Sequence, residues 1–168
     1  DYPLWTAAAS LSGGTPVHYM CDESRGWMPN LDDIRAKITP RTKAIVVINP
    51  NNPTGALIDR DGLERVSEIA KSVGAWVLCD EVYRGTEQHT PVPSIVEVYD
   101  KGISTGSTSK AYSLAGLRLG WIVGPEPLLD DCEVHRDYTT ISVGMVDDYF
   151  AAMAFDAKDV ILERAHDI

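Results

Sequence analysis

The chain has 168 residues, 44% hydrophobic and 24% charged, which suits one globular domain with a substantial core. Its net charge of -10 is spread along the sequence as a solvated surface would be, and with no basic stripe a nucleic-acid partner is not expected. No apolar run is long enough to span a bilayer, and no signal-peptide pattern is present.

In chain order, Leu4 to Leu11 is helix-like and Gly13-Gly14 stops it. Pro16 to Met20 reads as a short strand. Asn30 or Pro29 starts a helix that puts Leu31, Ile34 and Ile38 on one face, and Pro40 ends it. Lys43 to Ile48 is a β-branched apolar run typical of a strand buried on both faces. Asn49 to Gly55 is a loop of turn residues. Asp59 or Asp61 starts an amphipathic helix through Leu63, Val66, Ile69, Ala70 and Val73, closed by Gly74. Ala75 to Cys79 is the next buried strand. Residues 84–101 are a long loop with a short helix at most. Gly102 to Ser107 and Arg118 to Val123 are strands; Pro127 to Arg136 and Val143 to Arg164 are helices. Strands alternating with helices predict an α/β domain with a mainly parallel sheet flanked by helices.

In open α/β sheets ligands bind beyond the carboxyl ends of the strands. Asn52 follows the strand ending at Ile48. Asp80 and Tyr83 follow the strand ending at Cys79, and Ser107 and Lys110 follow the one ending near Thr105. Three strands thus deliver polar groups to one rim. An amine, a carboxylate, a phenol, an amide and a cluster of hydroxyls with Arg118 form the set that pyridoxal 5'-phosphate needs. Its aldehyde needs an amine, its pyridine nitrogen an anion, and its phosphate guanidinium and hydroxyl donors. Scattered His18, His89, His135 and His166 have no metal-ligand spacing. Asp130-Asp131 and Asp147-Asp148 fall on helices, where neighbours point apart, and read as solvated faces. Trp5, Trp27, Trp76 and Trp121 read as core or interface aromatics. Cys21, Cys79 and Cys132 are too scattered for a disulfide framework or a zinc site and read as buried, reduced thiols of a cytoplasmic protein.

Four motifs carry a resemblance. Asn49-Pro50-Asn51-Asn52-Pro53-Thr54-Gly55, Asp80-Glu81-Val82-Tyr83, Ser107-Thr108-Ser109-Lys110 and Arg118-Leu119-Gly120-Trp121 are similar, in order and spacing, to NPxNPTG, D-E-x-Y, SxSK and RxGW of the fold-type I, class I/II PLP-dependent aminotransferases. From Tyr2 through Gly55 the chain resembles the bacterial alanine aminotransferase subgroup. The resemblance implies that Lys110 forms a Schiff base with the cofactor and later acts as general base. It implies that Asp80 pairs with the pyridine nitrogen, and that Tyr83 and Asn52 hydrogen-bond the ring's phenolic oxygen. Ser107, Ser109 and Arg118 would hold the phosphate, and Tyr2 would stack on the ring. The Asn52-Pro53 bond is expected to be cis. The implied reaction moves an amino group from an alanine- or glutamate-like amino acid to a 2-oxo acid, in a homodimer. A lyase, decarboxylase, cyclase or amino-acid oxidase reaction on the same scaffold, or cofactor binding without turnover, are the alternatives. Family members are longer. The expectation is therefore that residues 1–168 are the central part of the large, PLP-binding domain, without the N-terminal segment and the small C-terminal domain.

Overall fold

Local sequence signals set the helices. The structure, a computed structural model, describes residues 2–87 and 91–167; His89 lies outside them. Helix α1 spans Pro3–Leu11, with proline in its first turn, where no backbone donor is needed. Helix α2, Leu31–Lys37, is capped by Asn30, whose Oδ1 accepts from Asp32 N at 3.1 Å and Asp33 N at 3.0 Å. Helix α3, Arg60–Ser72, is capped by Asp59 through Gly62 N at 2.8 Å. It ends at Gly74, whose φ of +71° lies in the left-handed region that glycine adopts without strain.

The short strands β1, Cys21–Asp22, and β2, Met28–Pro29, form an antiparallel pair. The main sheet holds β3 (Ala44–Ile48), β4 (Trp76–Asp80), β5 (Gly102–Ser107) and β6 (Gly120–Val123), in that order. β3, β4 and β5 run parallel, and β6 is antiparallel to β5. This is the expected α/β class. α3 crosses from β3 to β4 as parallel pairing requires, and its Leu63, Val66, Ile69 and Ala70 pack against Ile45, Val47, Val77 and Cys79 of the sheet. Burying each large side chain contributes about 1.5–3 kcal/mol.

Three expected elements differ. Pro16 to Met20 is not a strand: Val17 and Met20 are 62% and 65% exposed, and Tyr19 reaches the core alone, donating its hydroxyl to Val46 O at 2.9 Å. The helix expected over Val143 to Arg164 is two helices, α5 (Met145–Asp156) and α6 (Lys158–His166), broken at Ala157, where φ is -102° and ψ 17°. Helix α4 spans Glu126–Arg136. β3, expected to be buried on both faces, is buried mainly on one, through Ile45 and Val47, and of the three free cysteines expected to be buried only Cys79 is. No helix among the described residues is long and apolar enough to cross a membrane.

Candidate active site

The strand register aligns the rim. Asp80, the last residue of β4, pairs with Ile48 at the end of β3 and with Thr105 near the end of β5. Asp80 O accepts from Asn49 N at 2.9 Å, and Thr105 O accepts from Glu81 N at 2.8 Å. The loops bearing Asn52, Tyr83 and Lys110 therefore leave adjacent strands at one level.

The Asn49–Gly55 loop is fixed from within. Asn49 is buried; its Nδ2 donates to Ile58 O and its Oδ1 accepts from Ile58 N, both at 2.9 Å. Gly55 N donates to Asn51 O at 2.8 Å, with Gly55 in the left-handed region. The Asn49-Pro50 and Asn52-Pro53 bonds are both cis; the sequence pointed only to the second. The Asn51 Oδ1 is buried and has no hydrogen-bond partner among the described residues.

Asp80 is 8% exposed. Its Oδ1 accepts from Val82 N at 3.2 Å and its Oδ2 from the Trp5 indole at 2.8 Å. Sequence reasoning missed Trp5. No local signal points to it, because the contact joins residues 75 apart in sequence. Tyr2 is 42% exposed.

Lys110 is exposed, and its Nζ lies 5.7 Å from the centre of the Tyr83 ring. Its Nζ forms no hydrogen bond or ion pair with another described residue, while its backbone O accepts from Ser113 N at 2.9 Å. Behind it, Ser107 pairs with Gly120, and Thr108 N extends the ladder by donating to Leu119 O at 3.1 Å. Thr108 is fully buried, so it anchors the turn. Ser107 Oγ accepts from Ser109 N at 3.2 Å. Arg118 has φ +51° and donates through one nitrogen to Ala115 O at 2.8 Å; its remaining donors meet no described residue. The antiparallel β5–β6 pair thus holds Ser107, Ser109 and Arg118 at one end. A cavity of about 290 Å³ borders Ser107, Trp121, Tyr112 and Leu162, but Asn52, Asp80, Tyr83 and Lys110 do not line it.

The neighbouring buried groups are structural. Glu81 Oε1 accepts from Ser94 Oγ and Ile95 N, both at 2.9 Å, tying the loop after β4 to the sheet. Burial, and after it the charge of Glu81, pushes the Cys79 thiol well up. No cluster of metal-ligating residues occurs among the described residues.

The chain is similar along much of its length to known proteins. The glutamate-pyruvate aminotransferase AlaA of Escherichia coli (strain K12) is 50% identical over 133 residues, covering 75% of this chain and 32% of that protein. The alanine aminotransferase of Mycobacterium tuberculosis (strain H37Rv) is 47% identical over 132 residues, covering 75% and 30%. A PLP-dependent aminotransferase from Streptococcus suis 89-1591 superposes with a TM-score of 0.85 at 47% identity, over 92% of this chain and 41% of that one. The aspartate aminotransferase from Thermus thermophilus with maleate gives 0.91 at 26% identity, over 97% and 44%. The chain thus spans about a third of the length of the curated relatives it matches. The sequence profile of aminotransferase class I and II matches residues 1–164, and the chain belongs to that family.

Proposed function

We propose that this chain is the central, cofactor-binding part of a pyridoxal 5'-phosphate-dependent aminotransferase acting on an alanine- or glutamate-like amino acid and a 2-oxo acid. The observation that carries the reading is the Lys110 amine set against the Tyr83 ring, on a rim whose neighbouring strand ends at buried Asp80. The name of the Escherichia coli relative, a glutamate-pyruvate aminotransferase, supports the substrate class.

The residues present fit the cofactor. Lys110 offers an amine with no competing protein partner among the described residues. Asp80 offers a buried carboxylate whose two neighbours are both N–H donors. Arg118 keeps donors free among the described residues, as an anion site needs. When bound, the cofactor supplies an electron sink for the substrate's α-carbon. Lys110 would attach it through Nζ and, once released, carry the α-proton. Asp80 would hold a proton on the ring nitrogen. Asn52 and Tyr83 would donate to the ring oxygen, Ser107, Ser109 and Arg118 would bind the phosphate, and Tyr2 would cover the ring face.

Many large apolar side chains of the C-terminal helices are exposed, among them Met145, Val146, Tyr149 and Phe150. Such a surface supports a homodimer in the whole protein. Cys21, Cys79 and Cys132 are all free, which supports a cytoplasmic setting.

The test is to mix the chain with pyridoxal 5'-phosphate, record the visible band and trap the adduct with borohydride. A band lost in a folded Lys110→Ala variant, with pyruvate formed from alanine and 2-oxoglutarate by the full-length protein, is the expected outcome. A band that survives in Lys110→Ala, or release of CO2 in place of amino transfer, overturns the reading.

A further inference from the structure

The Trp5 indole N–H donates to Asp80 Oδ2 across 75 residues of sequence. An indole nitrogen is a donor only, so the bond cannot reverse its polarity. Val82 N occupies the other carboxylate oxygen, so Asp80 is held at both ends. The carboxylate is buried, and no cation pairs with it among the described residues. A buried carboxylate needs such donors, and each one fixes the plane of the group as well as stabilising its charge. Helix α1 buries none of its own residues, so this bond is also a direct polar tie between that helix and the sheet rim.

We propose that Trp5 is a positioning residue, whose indole N–H sets the orientation in which Asp80 meets the ring nitrogen of the cofactor. The proposal rests on the cofactor reading above. Trp5 touches neither cofactor nor substrate in this role and acts through Asp80. A residue that only filled space beside Asp80 would be replaceable by any ring of similar bulk. A positioning donor is replaceable only by another N–H at the same reach. In glutamine the amide nitrogen lies three bonds from Cβ, as Nε1 does in tryptophan, so Trp5→Gln keeps the donor while losing the ring. Trp5→Phe keeps a ring while losing the donor.

The experiment uses the full chain loaded with pyridoxal 5'-phosphate. It measures cofactor affinity by titration, the pH midpoint of the visible band, and far-UV circular dichroism as a folding control. Loss of a hydrogen bond to a charged group predicts about tenfold weaker cofactor binding in Trp5→Phe, and a midpoint moved by about half a unit or more. Trp5→Gln should recover most of both. A folded Trp5→Phe that matches wild type in affinity and midpoint overturns the proposal alone. So does a Trp5→Gln no better than Trp5→Phe, which would assign Trp5 to packing. A wild-type chain with no visible band removes the cofactor reading itself, and this proposal with it.

Discussion

Asn49 and Ile58 exchange two hydrogen bonds of 2.9 Å, side chain to backbone, as if Asn49 were one more rung of a sheet. Both residues are buried, so neither Ile58 group has water as a fallback. Asn49→Ala leaves a buried donor and a buried acceptor unpaired and is expected to destabilise the fold by about 2–3 kcal/mol. It also frees the loop that carries Asn52, so cofactor affinity should fall as well. Urea denaturation checks the first point and cofactor titration the second; an Asn49→Ala chain as stable as wild type would show that the exchange is dispensable.

How far the fold could be read follows from where its signals lie. α3 was legible because its cap at Asp59, its apolar stripe and its stop at Gly74 are all local. β4 and β5 were legible as apolar or strand-length runs between turns. Pro16 to Met20 has strand-like residues, but a strand needs a partner, and Tyr19 reaches Val46 with its hydroxyl and not with its backbone. The break at Ala157 has neither glycine nor proline to announce it. The rim positions of Asp80, Tyr83 and Lys110 followed from the strand-end rule. The Trp5–Asp80 bond did not, because contacts this remote in sequence leave no periodicity.

Gly106 faces Trp121 across the β5–β6 pair. A Cβ there would sit 2.5 Å from Cε2 of the indole, a rigid ring that cannot bend aside. Gly106→Ala is therefore expected to push the two strands apart and cost about 1–3 kcal/mol. The same hairpin carries Ser107 and Arg118, so the variant should lose cofactor affinity without any change to a predicted ligand. Near-UV circular dichroism of Trp121 reports the displacement. An unchanged spectrum with full stability would mean that the strands accommodate the methyl group.

Asp33 accepts from Lys37 Nζ and from Met20 N, both at 2.8 Å. The Lys37 bond first, then the Met20 bond, hold its carboxyl below the usual range. The folded chain thus binds this proton less tightly than the unfolded chain. The stabilisation is present above the unfolded carboxylate value of about 3.9 and disappears as pH falls through the lower folded value. Asp33→Asn should be less stable than wild type at neutral pH, and the difference should close in acid. Denaturation curves across that range test it; a gap independent of pH would assign the effect to packing.

Tyr19 and Cys79 give the opposite dependence. Burial, with smaller contributions from the charges of Cys21 and Cys79, pushes the Tyr19 phenol far up, and burial does the same to the Cys79 thiol. The folded chain therefore holds both protons more tightly than the unfolded chain does. Their stabilisation is intact below the ordinary thiol value of about 8.5 and is lost as pH climbs, first as the unfolded thiol ionises and then, near about 10, as the unfolded phenol does. Tyr19→Phe removes the bond to Val46 O, which costs about 1 kcal/mol at neutral pH, but it also removes one source of the alkaline loss. Its stability should start lower and fall less steeply above pH of about 10, so the two curves converge. Curves that stay parallel through that range would show that Tyr19 ionises as readily in the folded chain as in the unfolded one, which is incompatible with its seat against the core.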